Sequence, residues 1–186
     1  MSDFNAIRAV TDTLELIIDQ TMGIAVEKNL SPAGISLTTP LVSIFLYRVE
    51  PNPFIANLEW QVSSATQLVA PPFALNLHYL ITPYGADQSE IQQILGEVMR
   101  VFHENAVIRT GHPALSVDLN TMTEELRIVP RPLSLADDLE LWKSFGTNVT
   151  YRLAITYEVS AIIIDSTVTR NISRVYERQI ELGTMR

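Results

Sequence analysis

The chain has 186 residues, of which 47% are hydrophobic and 18% charged, and this balance suits one folded domain with its own core. Its formal net charge of −8 excludes a general electrostatic attraction for nucleic acid or for an anionic membrane surface. The absence of cysteine excludes disulfides, thiolate metal sites and a cysteine nucleophile. Because the first residues also lack a signal-peptide pattern, we expect a protein that folds in the reducing cytoplasm.

The first predicted elements are a helix and a strand. Apolar residues recur at helical spacing over residues 3–26 and predict one buried helix face. That face consists of Ile7, Val10, Leu14, Ile17, Ile18 and Met22. Residues 41–49 are rich in β-branched and aromatic side chains, which predicts a strand.

Segment 52–72 shows neither the helical period nor the alternation of a strand, and prolines lie near both of its ends. We therefore expect a long irregular loop. Loops of this length inside a domain are often functional. The apolar content of the segment is large: Phe54, Ile55, Leu58, Trp60, Val62, Leu68 and Val69. Aromatic anchors of this kind are typical of protein interfaces, although a loop folded over its own core is an equal alternative.

The clearest strand covers residues 73–81, where large apolar side chains alternate with smaller or polar ones. A helix capped by Asp87 or Ser89 follows and extends to about residue 103. Further along, the pattern predicts a short strand over 125–129 and one long or bulged strand over 148–165. Between these strands, Ser134 begins a helix whose predicted inner face holds Leu135, Leu139, Trp142 and Phe145.

The last twenty residues leave two interpretations open, a short amphipathic helix or an extended strand. On a helix, Arg170, Arg174 and Arg178 would form one basic stripe, with Tyr176 on the apolar side. Such a stripe is either a solvated face or a charged arm that docks on an acidic neighbour, for example another copy of this chain.

Together these elements predict an α/β (α+β) fold. We expect a single mixed β-sheet of about four or five strands, flanked by about two or three helices. Residues 1–165 would form the folded domain and residues 166–186 a C-terminal arm.

Catalytic motifs are absent from the sequence. It contains no phosphate-binding glycine loop, no GxSxG elbow, no HExxH and no calcium loop. The histidines are His78, His103 and His112, and no two of them have ligand spacing. We therefore expect no catalytic residue, no cofactor and no metal, with a hydrolase that uses His78 or His112 as the less favoured alternative.

Several motifs, in order along residues 5–165, resemble the cap proteins of extracellular contractile injection systems of the antifeeding-prophage and virulence-cassette type. The two specific ones are LNLHYLITPYG at residues 75–85 and LWKSFGT at residues 141–147. Supporting matches lie at residues 7–14, 94–103, 126–129, 132–134 and 153–159. No motif matches after Asp165.

This resemblance, rather than any periodicity, implies a tail-terminator-like structural subunit. Such subunits form a six-membered ring on the distal end of the inner tube and sheath, where they stop tube polymerisation and anchor the last sheath layer. The implied partners are the chain itself, tube subunits and sheath subunits, in a particle assembled in the cytoplasm and then released from the cell. A tube-initiating or baseplate subunit of the same particle is the nearest alternative.

A ring needs head-to-tail contacts, and therefore two different patches on one chain. The predicted patches are the segment 51–72 and the arm after Asp165. Their interface candidates are Phe54, Ile55, Trp60, Leu68, Arg170, Arg174, Tyr176 and Arg178.

Overall fold

The computed structural model describes residues 5–28, 39–54, 59–119, 125–146 and 149–173. Within these ranges the helices are α1 (Ala6–Met22), α2 (Gln88–Glu104) and α3 (Leu135–Ser144), with a short 3-10 turn at Val117–Leu119. The strands before α2 are β1 (Ala25–Lys28), β2 (Leu41–Pro51), β3 (Gln61–Ser64), β4 (Gln67–Val69) and β5 (Phe73–Tyr84). Those after it are β6 (Val107–Ile108), β7 (Leu126–Pro130), β8 (Ile155–Ile164) and β9 (Thr169–Asn171).

The main sheet has six strands in the order β1-β2-β5-β8-β7-β6. Strand β1 is parallel to β2, and the other pairs are antiparallel. A second sheet of three antiparallel strands, which we call the small sheet, has the order β3-β4-β9. The predicted α+β class with a mixed sheet is therefore confirmed, but the strands are more numerous than predicted.

The short strands β1, β3 and β4 were not predicted, and the structure shows why. Helix α1 ends earlier than residue 26, because Gly23 adopts a left-handed conformation (φ 60°) and its N–H caps the carbonyl of Asp19 at 2.9 Å. Residues 25–28 are thereby released to form β1. Strands β3 and β4 replace the irregular loop predicted for 52–72, since a hairpin without a fully buried face carries no alternating pattern.

Strand β5 lies at the centre of the main sheet and is buried on both faces from Ala74 to Tyr84. One face packs beneath α1 and α2 through Leu75, Leu77, Tyr79 and Ile81. The Tyr79 hydroxyl lies 2.9 Å from Thr11 Oγ1 on α1, and burial raises the pKa of Tyr79. The predicted apolar face of α1 is confirmed, because Val10, Leu14, Ile17 and Ile18 are all buried in this core.

Helix α2 begins where the sequence indicates. Asp87 is the N-cap, and its side chain accepts a hydrogen bond from the Glu90 N–H at 2.9 Å. An Asp87→Ala substitution removes the acceptor of this N–H, and we expect it to lower the free energy of unfolding by about 1 kcal/mol. Urea denaturation measures the change. Asp87→Asn is the matched control, since asparagine caps as well as aspartate does; an equal loss in both variants would contradict a capping role.

Helix α3 differs from its predicted packing. Of the four residues assigned to its inner face, Trp142 is buried and Phe145 is partly buried. Leu135 and Leu139 are 70% and 39% exposed. The C-terminal end of the helix packs on the second face of the sheet, where the Phe145 ring meets the Phe45 ring edge-on at 5.4 Å. Within the described residues, no helix is long and apolar enough to cross a membrane.

Candidate interface surfaces

A row of bonded polar side chains crosses the second face of the sheet, the one that α1 and α2 do not cover; it is buried at Asn52 and Asn76 and reaches the surface at Arg131. Asn52 Nδ2 donates to Asn76 Oδ1 at 2.9 Å, and Asn76 Nδ2 donates to Glu158 Oε1 at 2.9 Å. Arg131 Nη1 then pairs with Glu158 Oε2 at 2.9 Å. Asn52 directly follows β2, Asn76 and Glu158 lie on β5 and β8, and Arg131 precedes α3. The hydrogen bonds and the ion pair therefore connect four parts of the fold.

His78 belongs to the same face and hydrogen-bonds to a carboxylate. Its Nε2 lies 3.0 Å from Glu50 Oε1, while Arg48 Nη2 binds Glu50 Oε2 at 2.6 Å. The hydrogen bond from His78 is the main cause that lowers the pKa of Glu50. His78 is therefore buried with a local structural partner.

His112, the other histidine considered for a hydrolase, forms its hydrogen bonds with residues near it in sequence. Its Nδ1 accepts from the Ala114 N–H at 3.2 Å, and its Nε2 lies 3.2 Å from Asn105 Oδ1. The structure thus places His78 and His112 in separate hydrogen-bonded pairs and does not bring them together. In the described part of the chain, no three histidine or acidic side chains cluster as a metal site would require.

The small sheet contains strands from both segments that were predicted as separate interface patches. Strand β4 comes from segment 51–72, and β9 comes from the arm after Asp165. Leu68 pairs with Arg170 on β9 and with Val62 on β3, so these three side chains form one cross-strand row. Over its described residues, the arm therefore begins as part of the same surface as segment 51–72.

The predicted interface residues have different outcomes. Phe54 is 94% exposed, Trp60 and Arg170 are exposed, and Leu68 is half-buried. Ile55, Arg174, Tyr176 and Arg178 lie outside the described residues. The segment of Phe54 lies at the start of β5, since the Asn52 N–H bonds to the carbonyl of Ala74. Strand β4, which carries Leu68 and pairs with Arg170, shortly precedes β5 in the chain.

A second surface was missed by the sequence reasoning. Leu135 and Leu139 of α3 are exposed, and Leu139 borders a cavity of about 400 Å³. Its lining residues are Leu139, Trp142, Lys143, Gly146, Val149 and Tyr151. The helical spacing of the leucines indicated an apolar face but carried no information on whether that face meets its own core or another molecule.

Two solved structures share this fold. One is the sheath/tube terminator of the extracellular contractile injection system PVC in its extended state, with a TM-score of 0.70, 19% identity and coverage of 96% of this chain and 64% of that chain. The other is the tube-terminating cap of the anti-feeding prophage, with a TM-score of 0.65, 16% identity and coverage of 98% and 62%. The chain thus shares the fold of these two terminator structures and spans less than two thirds of the length of both.

The sequence profile described as the Pvc16 N-terminal domain matches residues 9–178. The chain belongs to the Pvc16 N-terminal domain family. Among curated proteins, none matches the sequence significantly.

Proposed function

We propose that this protein is a cap subunit of a phage-tail-like contractile injection particle. It ends polymerisation of the inner tube at its distal end and anchors the last layer of the sheath. The observation that carries the proposal is the match of nearly the whole chain, 96% and 98% of it, to the folds of a sheath/tube terminator and a tube-terminating cap. Membership of the Pvc16 N-terminal domain family supports the same role.

In this role the protein acts by contact rather than by catalysis. Its partners are tube and sheath subunits and other copies of itself, which form a closed ring through head-to-tail contacts; the resemblance to cap proteins implies six copies in that ring. Residues 1–165 form the body of each subunit. The arm, residues 166–186, starts on the small sheet through β9, and its arginines are proposed to contact an acidic neighbouring copy. The particle assembles in the cytoplasm and is then released.

Electron microscopy of particles made without this protein tests the capping role. We expect tubes of abnormal length and sheaths that are lost or contracted, because neither polymer has its terminal contact. Supplying the protein from a second gene copy is the control and should restore both features. Tubes of normal length with stably extended sheaths would overturn the proposal.

Labelling the protein within intact particles separates capping from the tube-initiating or baseplate alternative. A cap places the label at the end opposite the baseplate. A label at the baseplate end would replace the capping role with initiation.

A further inference from the structure

We propose, on the basis of the capping ring above, that neighbouring copies meet through two surfaces at opposite ends of the fold. Phe54 and the small sheet of one copy dock against the exposed side of α3 in the next copy. The occupant of the α3 surface is thus a second copy of this chain, bound head to tail.

The α3 surface has the properties of a preformed receptor. Leu135 and Leu139 are one helical turn apart and therefore lie on the same side of the helix. The adjoining cavity has rigid aromatic walls, because Trp142 contacts Phe145 and Tyr151 at ring distances of 5.7 Å each. Tyr151 is held in turn by a 2.9 Å hydrogen bond to Asp138. The volume of about 400 Å³ is large enough to admit an aromatic side chain.

Phe54 has the properties of a positioned anchor. Its side chain is almost fully exposed, yet its backbone N–H donates to Asn52 Oδ1 at 3.0 Å. Asn52 is itself buried and bonded to Asn76 on the central strand. Because the backbone of Phe54 is held in this way, binding has to order only its side-chain torsions, which favours its use at the centre of an interface.

The two surfaces cannot meet within one chain. Phe54 follows Asn52, whose N–H bonds to the carbonyl of Ala74 at the start of β5. Helix α3 instead rests on Phe45, which lies opposite Leu80 on β5. Six residues of extended strand separate Ala74 from Leu80, a distance of roughly 20 Å. A contact between these surfaces must therefore join two copies, and it is of the heterologous kind that closes a ring.

Charge complementarity selects the same pairing. Arg170 on the small sheet and Glu140 on α3 are exposed, and neither forms a salt bridge with a described residue. Helix α3 contains three acidic side chains and one lysine. By contrast, residues 166–186 contain four arginines and two glutamates. Head-to-tail docking brings Arg170 on the small sheet of one copy to the acidic helix α3 of the next.

Cysteine cross-linking in assembled particles tests this contact, and the natural absence of cysteine leaves no competing thiol within this subunit. The variant carries Phe54→Cys together with Leu139→Cys, both at exposed positions. Under mild oxidation we expect a ladder of disulfide-linked multimers. The matched control pairs Phe54→Cys with Val117→Cys, which is 80% exposed but lies outside the proposed surface, and should remain monomeric.

The outcomes separate this contact from the capping role. A ring seen by microscopy at the tube end, without a ladder above that of the control, would overturn the contact and leave the capping role standing. Failure of the capping role is detected independently, by normal tubes in the absence of the protein.

A charge exchange provides a second readout. Arg170→Glu should reduce the fraction of tube ends that carry the ring by roughly tenfold, the equivalent of about 1.4 kcal/mol. Adding Glu140→Arg should restore it. If the double variant is no better than the single one, the proposed charge pairing is wrong.

Discussion

Replacing Leu77 with alanine is expected to lower the free energy of unfolding by about 3 kcal/mol or more. Leu77 is fully buried at the centre of β5, between Val49 on β2 and Val159 on β8, and faces the core beneath α1 and α2. These neighbours are held by sheet hydrogen bonds and collapse only partly into the space left by the side chain. The cost therefore includes the residual cavity as well as the lost transfer free energy. Urea unfolding measures it as a lower midpoint at an unchanged slope.

Leu135→Ala provides the matched control, since it makes the same chemical change on a side chain that is 70% exposed. For the isolated protein we expect a change within about 0.5 kcal/mol. A loss of stability comparable to that of Leu77→Ala would show that Leu135 is buried in the free subunit, which would contradict its exposed position on α3. The same variant should weaken ring formation, because Leu135 lies on the proposed contact.

Asn76→Asp is expected to destabilise the protein by about 2–4 kcal/mol at pH 7 while barely changing the shape of the side chain. The amide of Asn76 donates to Glu158 and accepts from Asn52 in a buried position. An ionised carboxyl at position 76 can accept from Asn52 but cannot donate to Glu158. Two carboxylates then lie within hydrogen-bond distance of each other, and their repulsion raises the pKa of the new group in the folded state.

The loss should depend on pH in a defined direction. The new carboxyl has an unfolded pKa of about 3.9 and a higher folded pKa. Below the unfolded value it is protonated in both states, and its hydroxyl replaces the amide donor to Glu158. The destabilisation relative to the natural chain therefore appears as the pH rises above about 4, grows toward the folded pKa and is constant beyond it.

Thermal or urea unfolding across pH 3.5 to 7.5 measures this difference. Asn171→Asp is the control, because Asn171 is exposed on β9 and its replacement should show no such pH dependence. A loss that is equally large at the lowest pH would indicate damage to packing rather than repulsion with Glu158.

The sequence predicted correctly those elements in which buried residues recur with a regular period. Helices α1 and α2 each bury one stripe against the sheet, so apolar residues recur with the helical period and locate both elements. Asp87 and Ser134 identify two helix starts because N-capping is a local interaction, complete within about three residues. Strand β5 was located for the same kind of reason, since large apolar residues alternate along it.

The interface candidates were only partly predictable. Phe54 and Trp60 attracted attention as aromatic residues in a segment without periodicity, and the structure exposes both. Leu68 and Arg170 are about a hundred positions apart in sequence. Their place in one cross-strand row depends on the pairing of β4 with β9, which no local pattern encodes. The α3 surface could not be predicted even though its residues are close in sequence, because the spacing of Leu135 and Leu139 fits a core face as well as an interface.

The sequence by itself determined the α+β class, the principal helices, the N-caps of α2 and α3, the central strand and the acidic character of the chain. Each of these depends on composition or on neighbours within a few turns. Only the tertiary structure decided which apolar residues face solvent and which segments share a surface. It joined segment 51–72 to the arm, buried Asn76 and His78 with acidic partners, and left two leucines of α3 uncovered. These outcomes depend on long-range strand pairing and on how much of each helix the sheet can cover.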